Sequence, residues 1–252
     1  MAKVTILGCS YAIPDSNNEV THLAIHGDKT GVLIDCGSNP TVRLEEANIS
    51  YDSITDLILT HFHPDHVSGA PLMLMNMWLL GRTKCLRIHG LTHCLNNLNK
   101  LMQAYDWNSW PNFFPIEFNY ITTDKKNTII NNDDFLIHSS PGNHMVPVIG
   151  LRIRNNKKNG KTIAYSSDTE PCDSIQNLVN KVDILIHEAT GKSTGHSSAY
   201  QAGKVANKAK AKALLLIHYN IHNNDKSQLK YMAQKTFDGP VKLAFDFMKF
   251  DF

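Results

Sequence analysis

Residues 57–66 read Leu-Ile-Leu-Thr-His-Phe-His-Pro-Asp-His, an apolar run that leads into four side chains able to bind a metal ion. These four are His61, His63, Asp65 and His66. At the frequency of His and Asp in this chain, the pattern arises by chance in roughly two of a thousand such sequences. Side chains alternate in an extended segment, so His61 and His63 point the same way, whereas Asp65 and His66 follow a proline and can turn toward a second ion. The stretch therefore predicts a strand that ends in metal ligands.

The composition is that of an ordinary globular protein. Of its 252 residues, 42% are hydrophobic and 19% are charged. The sequence shows no repeat, low-complexity tract or linker, so we expect a single domain over residues 1–252. Lys and Arg number 25 against 23 Asp and Glu, which leaves a net charge of +2. So small an excess argues against a dedicated nucleic-acid or membrane binder.

The cysteines and the apolar runs bear on the compartment. Five cysteines are scattered along the chain without a Cys-x-x-Cys pair, which argues against a disulfide framework and a cysteine zinc site and fits a reducing cytosol. The longest apolar stretch, residues 70–80, is shorter than the roughly 20 residues that cross a bilayer. We therefore expect a soluble cytoplasmic protein with no membrane partner.

Short strand-like runs alternate with helical ones, which predicts an α/β fold of sheets covered by helices. The predicted strands are residues 4–7, 22–26, 31–35, 56–60, 86–89, 135–139, 149–154, 162–166, 183–188, 213–218 and 242–247. The predicted helices are residues 70–80, 93–105, 174–181, 198–211 and 227–236. Turn residues at 27–29 and 155–160 predict two hairpins.

Further polar side chains follow the predicted strands. The run 162–165 leads toward Asp168, and Leu214–Ile217 leads directly into His218. Groups at the carboxyl ends of strands meet in one crevice of an open α/β sheet, so we expect these residues to join the His61 stretch. A mixed set of imidazoles and carboxylates suits zinc first, with manganese or iron as alternatives, and does not suit calcium.

The histidine-rich stretch resembles the His-x-His-x-Asp-His signature of metallo-β-lactamase-fold hydrolases. Ser140–His144, Ala164–Thr169 and Leu214–His218 resemble the later metal-binding segments of these enzymes, in the same order. Other segments resemble the ribonuclease Z group of the superfamily; these are Leu7–Pro14, Leu33–Gly37, Ile186–Thr190 and Gly195–Gly203. The motifs extend from residue 4 to about residue 220 and so cover nearly the whole chain.

The resemblance implies an αββα sandwich of two mixed sheets and a site for two divalent cations that share an activated water. One cation would be held by His61, His63 and His144. The other would be held by Asp65, His66 and His218, with Asp168 bridging the two. Asp35 would orient a ligand imidazole from outside the ligand shell.

Metal ions do not supply the proton that a leaving alkoxide needs, and His196 is our candidate for this general acid. It precedes Ser198 and Gln201, whose spacing is that of a capping box at a helix start. Free N–H groups and the positive end of the helix dipole at such a start can hold a phosphate oxygen. Glu188 is the candidate carboxylate that orients His196. Asp65, His196 and Glu188 are thus the predicted catalytic residues.

The sequence departs from ribonuclease Z where that enzyme binds tRNA. Only 24 positions separate His144 from Asp168, too few for the exosite arm that tRNA-maturing members carry there. The basic loop Pro-x-Lys-x-Arg-Asn is replaced by residues 14–18, Pro-Asp-Ser-Asn-Asn, and Ser-x-Arg-Tyr after the last histidine by residues 220–223, Asn-Ile-His-Asn. These changes favour a phosphodiesterase for small or cyclic diesters.

Two alternatives remain open at this point. A true tRNA 3′-endonuclease would cleave precursor tRNA, and a thioester or lactam hydrolase would place an apolar acyl pocket where we place the phosphate. The resemblance also implies a homodimer. The other seven histidines are expected to serve packing or to lie exposed; they are His22, His26, His89, His93, His138, His187 and His222.

Overall fold

The structure, a computed structural model, describes residues 2–123, 127–222 and 225–252. Within these ranges the chain forms two seven-stranded mixed sheets and seven α-helices. This confirms the predicted α/β arrangement of two sheets flanked by helices.

The first sheet has the strand order β14-β1-β2-β3-β4-β5-β6. Its strands are β1 (Lys3–Gly8), β2 (His22–His26), β3 (Gly31–Ile34), β4 (Asp56–Leu59), β5 (Leu86–Leu91), β6 (Ile116–Ile121) and β14 (Lys249–Asp251). The β2–β3 hairpin is antiparallel as predicted, and from β3 to β6 the neighbours run parallel. The carboxyl ends of these parallel strands therefore lie at one edge of the sheet.

The second sheet has the strand order β13-β12-β11-β10-β9-β8-β7. Its strands are β7 (Asn127–Asn131), β8 (Phe135–Pro141), β9 (Ile149–Asn155), β10 (Thr162–Tyr165), β11 (Ile184–Glu188), β12 (Leu214–Ile217) and β13 (Val241–Leu243). The predicted hairpin at residues 155–160 joins antiparallel β9 and β10, whereas β10 to β13 run parallel. The carboxyl ends of these parallel strands therefore also lie at one edge of their sheet, where the strands lead into loops.

The helices occupy the connections between strands. They are α1 (Pro40–Glu46), α2 (Pro64–Val67), α3 (Ala70–Leu79), α4 (Thr92–Ala104), α5 (Asp173–Leu178), α6 (Ala199–Lys208) and α7 (Lys226–Gln234), with 3-10 turns at Tyr51–Ser53 and Trp107–Ser109. Proline occupies the first turn of α1, α2 and α3, where its missing N–H costs no helical hydrogen bond. Apolar side chains of both sheets and of the helices pack into one buried core.

Several predicted boundaries were wrong. Predicted strand 242–247 ends at Leu243 because the chain turns there and Phe247 has a φ of 64°. Predicted helix 198–211 ends at Lys208, shortly before Lys210 takes a left-handed φ of 53°. The prediction also missed α1, α2, β6, β7 and β14. The three strands lie at the sheet edges, where half of the side chains face solvent and the apolar pattern is weak.

Candidate metal centre

The predicted site residues all lie where strands end or helices begin. His61 follows β4, His63 precedes α2, and Asp65 and His66 lie within α2, so the proline does redirect the chain as expected. Asp168 follows β10 and His218 follows β12. The structure therefore brings the sequence-distant ligand candidates into one crevice, as the topology of parallel strands requires.

The backbone is strained at three of these strand ends. Asp35, Ser167 and His218 have φ values of 60°, 53° and 50°, a region that non-glycine residues rarely adopt. Each is the first or second residue beyond its strand and is buried. Such conformations persist only where the surroundings enforce them, and they cluster at functional sites.

Three imidazoles form one candidate ligand group, which we name the imidazole set: His61, His63 and His144. Nδ1 of His63 lies 3.2 Å from Nε2 of His61 and 3.0 Å from Nε2 of His144. In a tetrahedron with zinc–nitrogen bonds of about 2.0–2.1 Å, ligand atoms are about 3.4 Å apart. The spacing of the three nitrogens is therefore close to what one small cation requires.

Two carboxylates and two imidazoles form the second group, which we name the carboxylate set: Asp65, His66, Asp168 and His218. Nε2 of His66 lies 3.4 Å from Oδ2 of Asp65 and 3.5 Å from Oδ2 of Asp168. Nε2 of His218 lies 3.4 Å from Asp65 Oδ2 and 3.5 Å from Asp168 Oδ1. All four ligand atoms thus converge on one point of the crevice.

Asp168 faces both sets. Its Oδ2 lies 3.8 Å from Nε2 of His61 and 3.9 Å from Nε2 of His144, in addition to its contacts within the carboxylate set. Burial alone would raise the pKa of Asp168, but the surrounding imidazoles hold that pKa well below its usual range. The carboxylate is therefore ionised and placed between the two groups, as a bridging ligand would be.

The ligand nitrogens and oxygens of the two sets are arranged to bind cations rather than to form hydrogen bonds with one another. The Nδ1–H groups of His61 and His144 are used by other acceptors, so both Nε2 atoms present lone pairs to Nδ1 of His63, which has at most one proton to share between them. Nε2 of His66 and Oδ1 of Asp168 are buried without a hydrogen-bond partner. Converging lone pairs and orphaned buried acceptors are costly unless a cation satisfies them. The residues present thus fit two divalent metal ions.

Burial keeps the imidazole set neutral. It lowers the pKa of His61 well below its usual value, and it also lowers the pKa of His63 and of His144. Neutral imidazole is the form that binds metal, since a protonated ring has no free lone pair. This electrostatic environment suits ligands rather than general acids.

Asp35 and Thr60 orient one imidazole in each set. Oδ2 of Asp35 accepts a hydrogen bond from Nδ1 of His66 at 2.8 Å and one from the Thr60 hydroxyl at 2.9 Å. Because that hydroxyl donates to Asp35, it accepts the Nδ1–H of His61 at 3.1 Å. Both rings consequently direct Nε2 into the crevice. The orienting role predicted for Asp35 matches this geometry, whereas the sequence reasoning missed Thr60, although a hydroxyl directly before a ligand histidine was a signal for it.

Loop residues orient the remaining imidazoles. The Thr190 hydroxyl donates to the carbonyl of His218 at 2.9 Å and therefore accepts the Nδ1–H of the same residue at 2.8 Å. The Gly195 carbonyl accepts the Nδ1–H of His144 at 2.7 Å. Neither residue was predicted as part of the site, and nothing in the sequence places them beside their histidines.

Glu188 holds the loop that carries His196. Its Oε1 accepts hydrogen bonds from the N–H of Thr169, the N–H of Ser197 and Nδ1 of His196, at 3.1, 2.9 and 3.1 Å. Burial would lower the pKa of His196, but the hydrogen bond and negative charge of Glu188 raise it above its ordinary value. The imidazole is therefore favoured in its charged, donating form with Nε2 free.

The start of α6 is used differently from the prediction. The capping box of Ser198 and Gln201 is present, but the N–H of Ser197 donates to Glu188 and that of Ser198 donates to Gln201. Two of the donors expected to hold a phosphate oxygen thus already have protein acceptors. In the structure the anion held beside this helix start is the carboxylate of Glu188.

Among the described residues, the groups with metal-ligand spacing contain only predicted site residues, including His196 and Glu188. The remaining histidines lie outside these groups. His22 and His187 are fully buried, and His89 is hydrogen-bonded to the buried carboxylate of Asp56 at 2.8 Å, a partner that the sequence did not reveal. In the described part of the chain, we find no helix with the length and apolar character that a membrane crossing requires.

Comparisons with known proteins bear on the family and the fold of the chain. The chain is 26% identical to a ribonuclease Z of Parabacteroides distasonis (94% of this chain, 95% of the relative) and 27% identical to one of Methanothermobacter thermautotrophicus (86% of each). Its structure is similar to the metallo-β-lactamase-fold protein YhfI of Bacillus subtilis, with a TM-score of 0.85 at 23% identity over 100% of this chain and 99% of that one. It also resembles the short form of human tRNase Z, with a TM-score of 0.80 at 23% identity over 99% and 98% of the two chains.

These likenesses confirm the predicted metallo-β-lactamase fold and the resemblance to ribonuclease Z. Together with the two ligand sets they fit a dinuclear metal-dependent hydrolase of phosphodiesters. A family model described as "Anti-Pycsar protein Apyc1" matches residues 2–237, nearly the whole chain. The protein thus belongs to the Apyc1 family of anti-Pycsar proteins.

Proposed function

We propose that this protein hydrolyses small or cyclic phosphodiesters with two bound divalent cations, zinc first among them. The observation that carries the proposal is the pair of ligand sets that meet at Asp168. When bound, such cations activate a water and offset the negative charge that develops on the phosphoryl oxygens. His61, His63 and His144 would hold one cation, and the carboxylate set would hold the other.

His196 would donate the proton to the leaving oxygen. Its ring contacts His144 edge-on at 4.8 Å and stacks on His218 at 6.0 Å between centroids, so it lies beside both ligand sets. Glu188 fixes the proton on Nδ1 and leaves Nε2 to face the crevice. The side chain of His196 is 14% exposed, enough for contact with a bound substrate. Asp65 would act in catalysis as a ligand of the second cation.

The surroundings of the site favour a small substrate over tRNA. Between His144 and Asp168 the chain forms only β9, β10 and their connecting turn. In the loop that replaces the basic motif, Asp15 accepts hydrogen bonds from the N–H groups of Asn17 and Asn18 and so presents an acidic turn. Phosphate contacts to RNA depend on cationic side chains, and residues 14–18 contain no lysine or arginine.

The compartment and the assembly are separate predictions. The five cysteines are all free, which supports the cytoplasmic location that we propose. The homodimer implied by the ribonuclease Z resemblance remains a prediction that light scattering on the purified protein tests.

The experiment compares three substrates with the zinc-reconstituted protein: bis-p-nitrophenyl phosphate, a 3′,5′-cyclic nucleotide and a precursor tRNA. We expect hydrolysis of both small diesters and, at most, inefficient cleavage of the tRNA. Cleavage of the precursor tRNA at an efficiency comparable to that of the small diesters would overturn the substrate preference. Hydrolysis of a thioester or a lactam without any diester activity would overturn the proposal as a whole.

A further inference from the structure

Glu170 lies outside both ligand sets and outside the predicted catalytic residues, yet it contacts the two loops that meet at the site. Its Oε1 accepts the backbone N–H of Gly195 at 2.8 Å. Its own N–H donates to the carbonyl of Asn143 at 2.8 Å, in an antiparallel bridge between the two residues. Glu170 therefore ties the residue before His144 to the residue before His196.

The peptide of Gly195 is held on both sides by these contacts. Its N–H is bound by Glu170, and its carbonyl accepts the Nδ1–H of His144 at 2.7 Å. Gly195 has a φ of +79°, and a Cβ there would lie 2.6 Å from Nδ1 of His144. The backbone thus approaches the ligand ring as closely as glycine permits.

His196 follows this peptide directly, so its position relative to the imidazole set depends on Gly195. The N–H of Gly191 donates to the carbonyl of Ser197 at 3.0 Å and Glu188 holds the segment after Gly195, whereas residues 192–194 before it are exposed. Glu170 is consequently well placed to fix the loop.

We infer that Glu170 is a positioning residue that couples the general acid to the imidazole set, by holding the Gly195 peptide between His144 and His196. The inference rests on the proposed function for the role of His196, but the effect on His144 does not depend on any substrate. Loss of the carboxylate would let the loop move and would loosen both contacts at once. The function of Glu170 needs an acceptor oxygen rather than a negative charge, so glutamine can replace it.

The test uses Glu170→Ala, Glu170→Gln and a matched control, Asp183→Ala. Asp183 is also half-buried and also accepts a backbone N–H at 2.8 Å, that of Thr162, but at the opposite end of β10 from Asp168. Each purified protein is loaded with zinc. We then measure kcat and KM on a 3′,5′-cyclic nucleotide and on bis-p-nitrophenyl phosphate, and zinc retention against increasing concentrations of a chelator.

For Glu170→Ala we expect about a tenfold fall in kcat on the cyclic nucleotide, equal to about 1.4 kcal/mol of transition-state stabilisation. On bis-p-nitrophenyl phosphate the fall should be about threefold or less, because p-nitrophenolate leaves without protonation. One of the two zinc ions should be lost at a roughly tenfold lower chelator concentration, since residues that orient a ligand tune metal affinity by such factors. Glu170→Gln should restore both properties, and Asp183→Ala should change neither.

Wild-type rates on both substrates and wild-type zinc retention in Glu170→Ala would overturn the inference. Equal rate losses on the two substrates, or a failure of glutamine to restore them, would also contradict it, because a general structural defect has that signature. If the wild-type protein hydrolyses neither diester, the proposed function fails, and zinc retention alone then decides whether Glu170 holds His144 in place.

Discussion

The two ligand sets lie side by side but are built on different physical principles. The imidazole set carries no formal charge, and His63 is half-buried in it. The carboxylate set carries two acidic side chains, and His66, Asp168 and His218 are buried. Asp168 faces both sets, whereas Asp65 belongs to the carboxylate set alone, so the cation of that set has one more carboxylate to offset its charge. We therefore expect the carboxylate set to retain its ion more firmly.

The support behind the ligands differs as well. His66 is oriented by the buried carboxylate of Asp35, whereas His144 is oriented by the carbonyl of Gly195, which belongs to the loop of His196. Thr190 orients His218 of the carboxylate set through its hydroxyl, but the carbonyl of Gly195 belongs to the peptide that leads directly into His196. The comparison teaches that proton donation and metal binding are coupled most directly through His144.

The largest effect is expected for Asp168→Ala, which removes the carboxylate that both sets share. Neither cation would keep its full ligand set, so we expect metal content below two ions per chain and a fall in the rate of about 10³-fold or more. Elemental analysis together with diester hydrolysis measures both quantities. Two retained ions with a rate within tenfold of wild type would show that Asp168 does not bridge the sets.

His196→Ala should separate proton donation from metal binding. We expect kcat on a diester with an alkoxide leaving group to fall by about 10²–10³-fold, the usual contribution of a general acid. Metal content should not change, because the ring is outside both ligand sets in our assignment. His26→Ala is the control, since that ring lies at the end of β2 and is hydrogen-bonded to Ser53, outside the site. An unaffected rate would remove His196 from the mechanism.

A chelator titration should release the two ions in separate phases, the imidazole set first. Thr60→Val removes the hydroxyl that orients His61, and Thr190→Val removes the one that orients His218. We expect each variant to shift one phase by about tenfold: the early phase for Thr60 and the late phase for Thr190. A shift of the same phase by both variants would refute the division into two sets.

Gly195→Ala and Gly81→Ala compare a crowded glycine with an open one. Both have similar φ values, +79° and +83°, so both substitutions cost about 1–2 kcal/mol of backbone strain. A Cβ at Gly81 meets nothing within 4 Å, whereas at Gly195 it meets His144. In thermal unfolding, Gly195→Ala should thus lose as much stability as Gly81→Ala or more. Only Gly195→Ala should weaken metal retention. Unchanged retention in that variant would argue against close support of His144 by the loop.

A smaller, pH-dependent effect is expected from His22, which is fully buried and lies outside both ligand sets. Burial lowers the pKa of His22 to about 4 from its usual 6.5. The folded state therefore binds this proton more weakly than the unfolded state does. The neutral ring of His22 makes its full contribution to the free energy of unfolding above pH 6.5. As the pH falls toward 4, the free energy of unfolding decreases by up to about 3 kcal/mol.

Denaturant unfolding of wild type and His22→Gln at pH 7 and pH 4.5 measures this contribution. The stability difference between the two proteins should shift in favour of the variant at the lower pH. Use of the difference removes the part that arises from protonation of the metal ligands, which both proteins share. If the stability of both proteins changed with pH in the same way, this would contradict the lowered pKa of His22.

Much of the site follows from sequence because its chemistry is dense and local. His61, His63, Asp65 and His66 lie within six residues, and the strand ends before Asp168 and His218 are continuous apolar runs. The orienting residues are different. Thr190, Gly195 and Glu170 act through one hydroxyl, one peptide and one carboxylate, whose partners are 25 to 51 positions away in the chain. Single residues of common types give no pattern that would reveal such contacts.

The central claim is tested most directly by measuring metal content and bis-p-nitrophenyl phosphate hydrolysis on the same purified sample. The two ligand sets predict about two divalent ions per chain, with hydrolysis that is lost on chelation and restored by zinc or manganese. Less than one ion per chain, with no hydrolysis after reconstitution with either metal, would contradict the account.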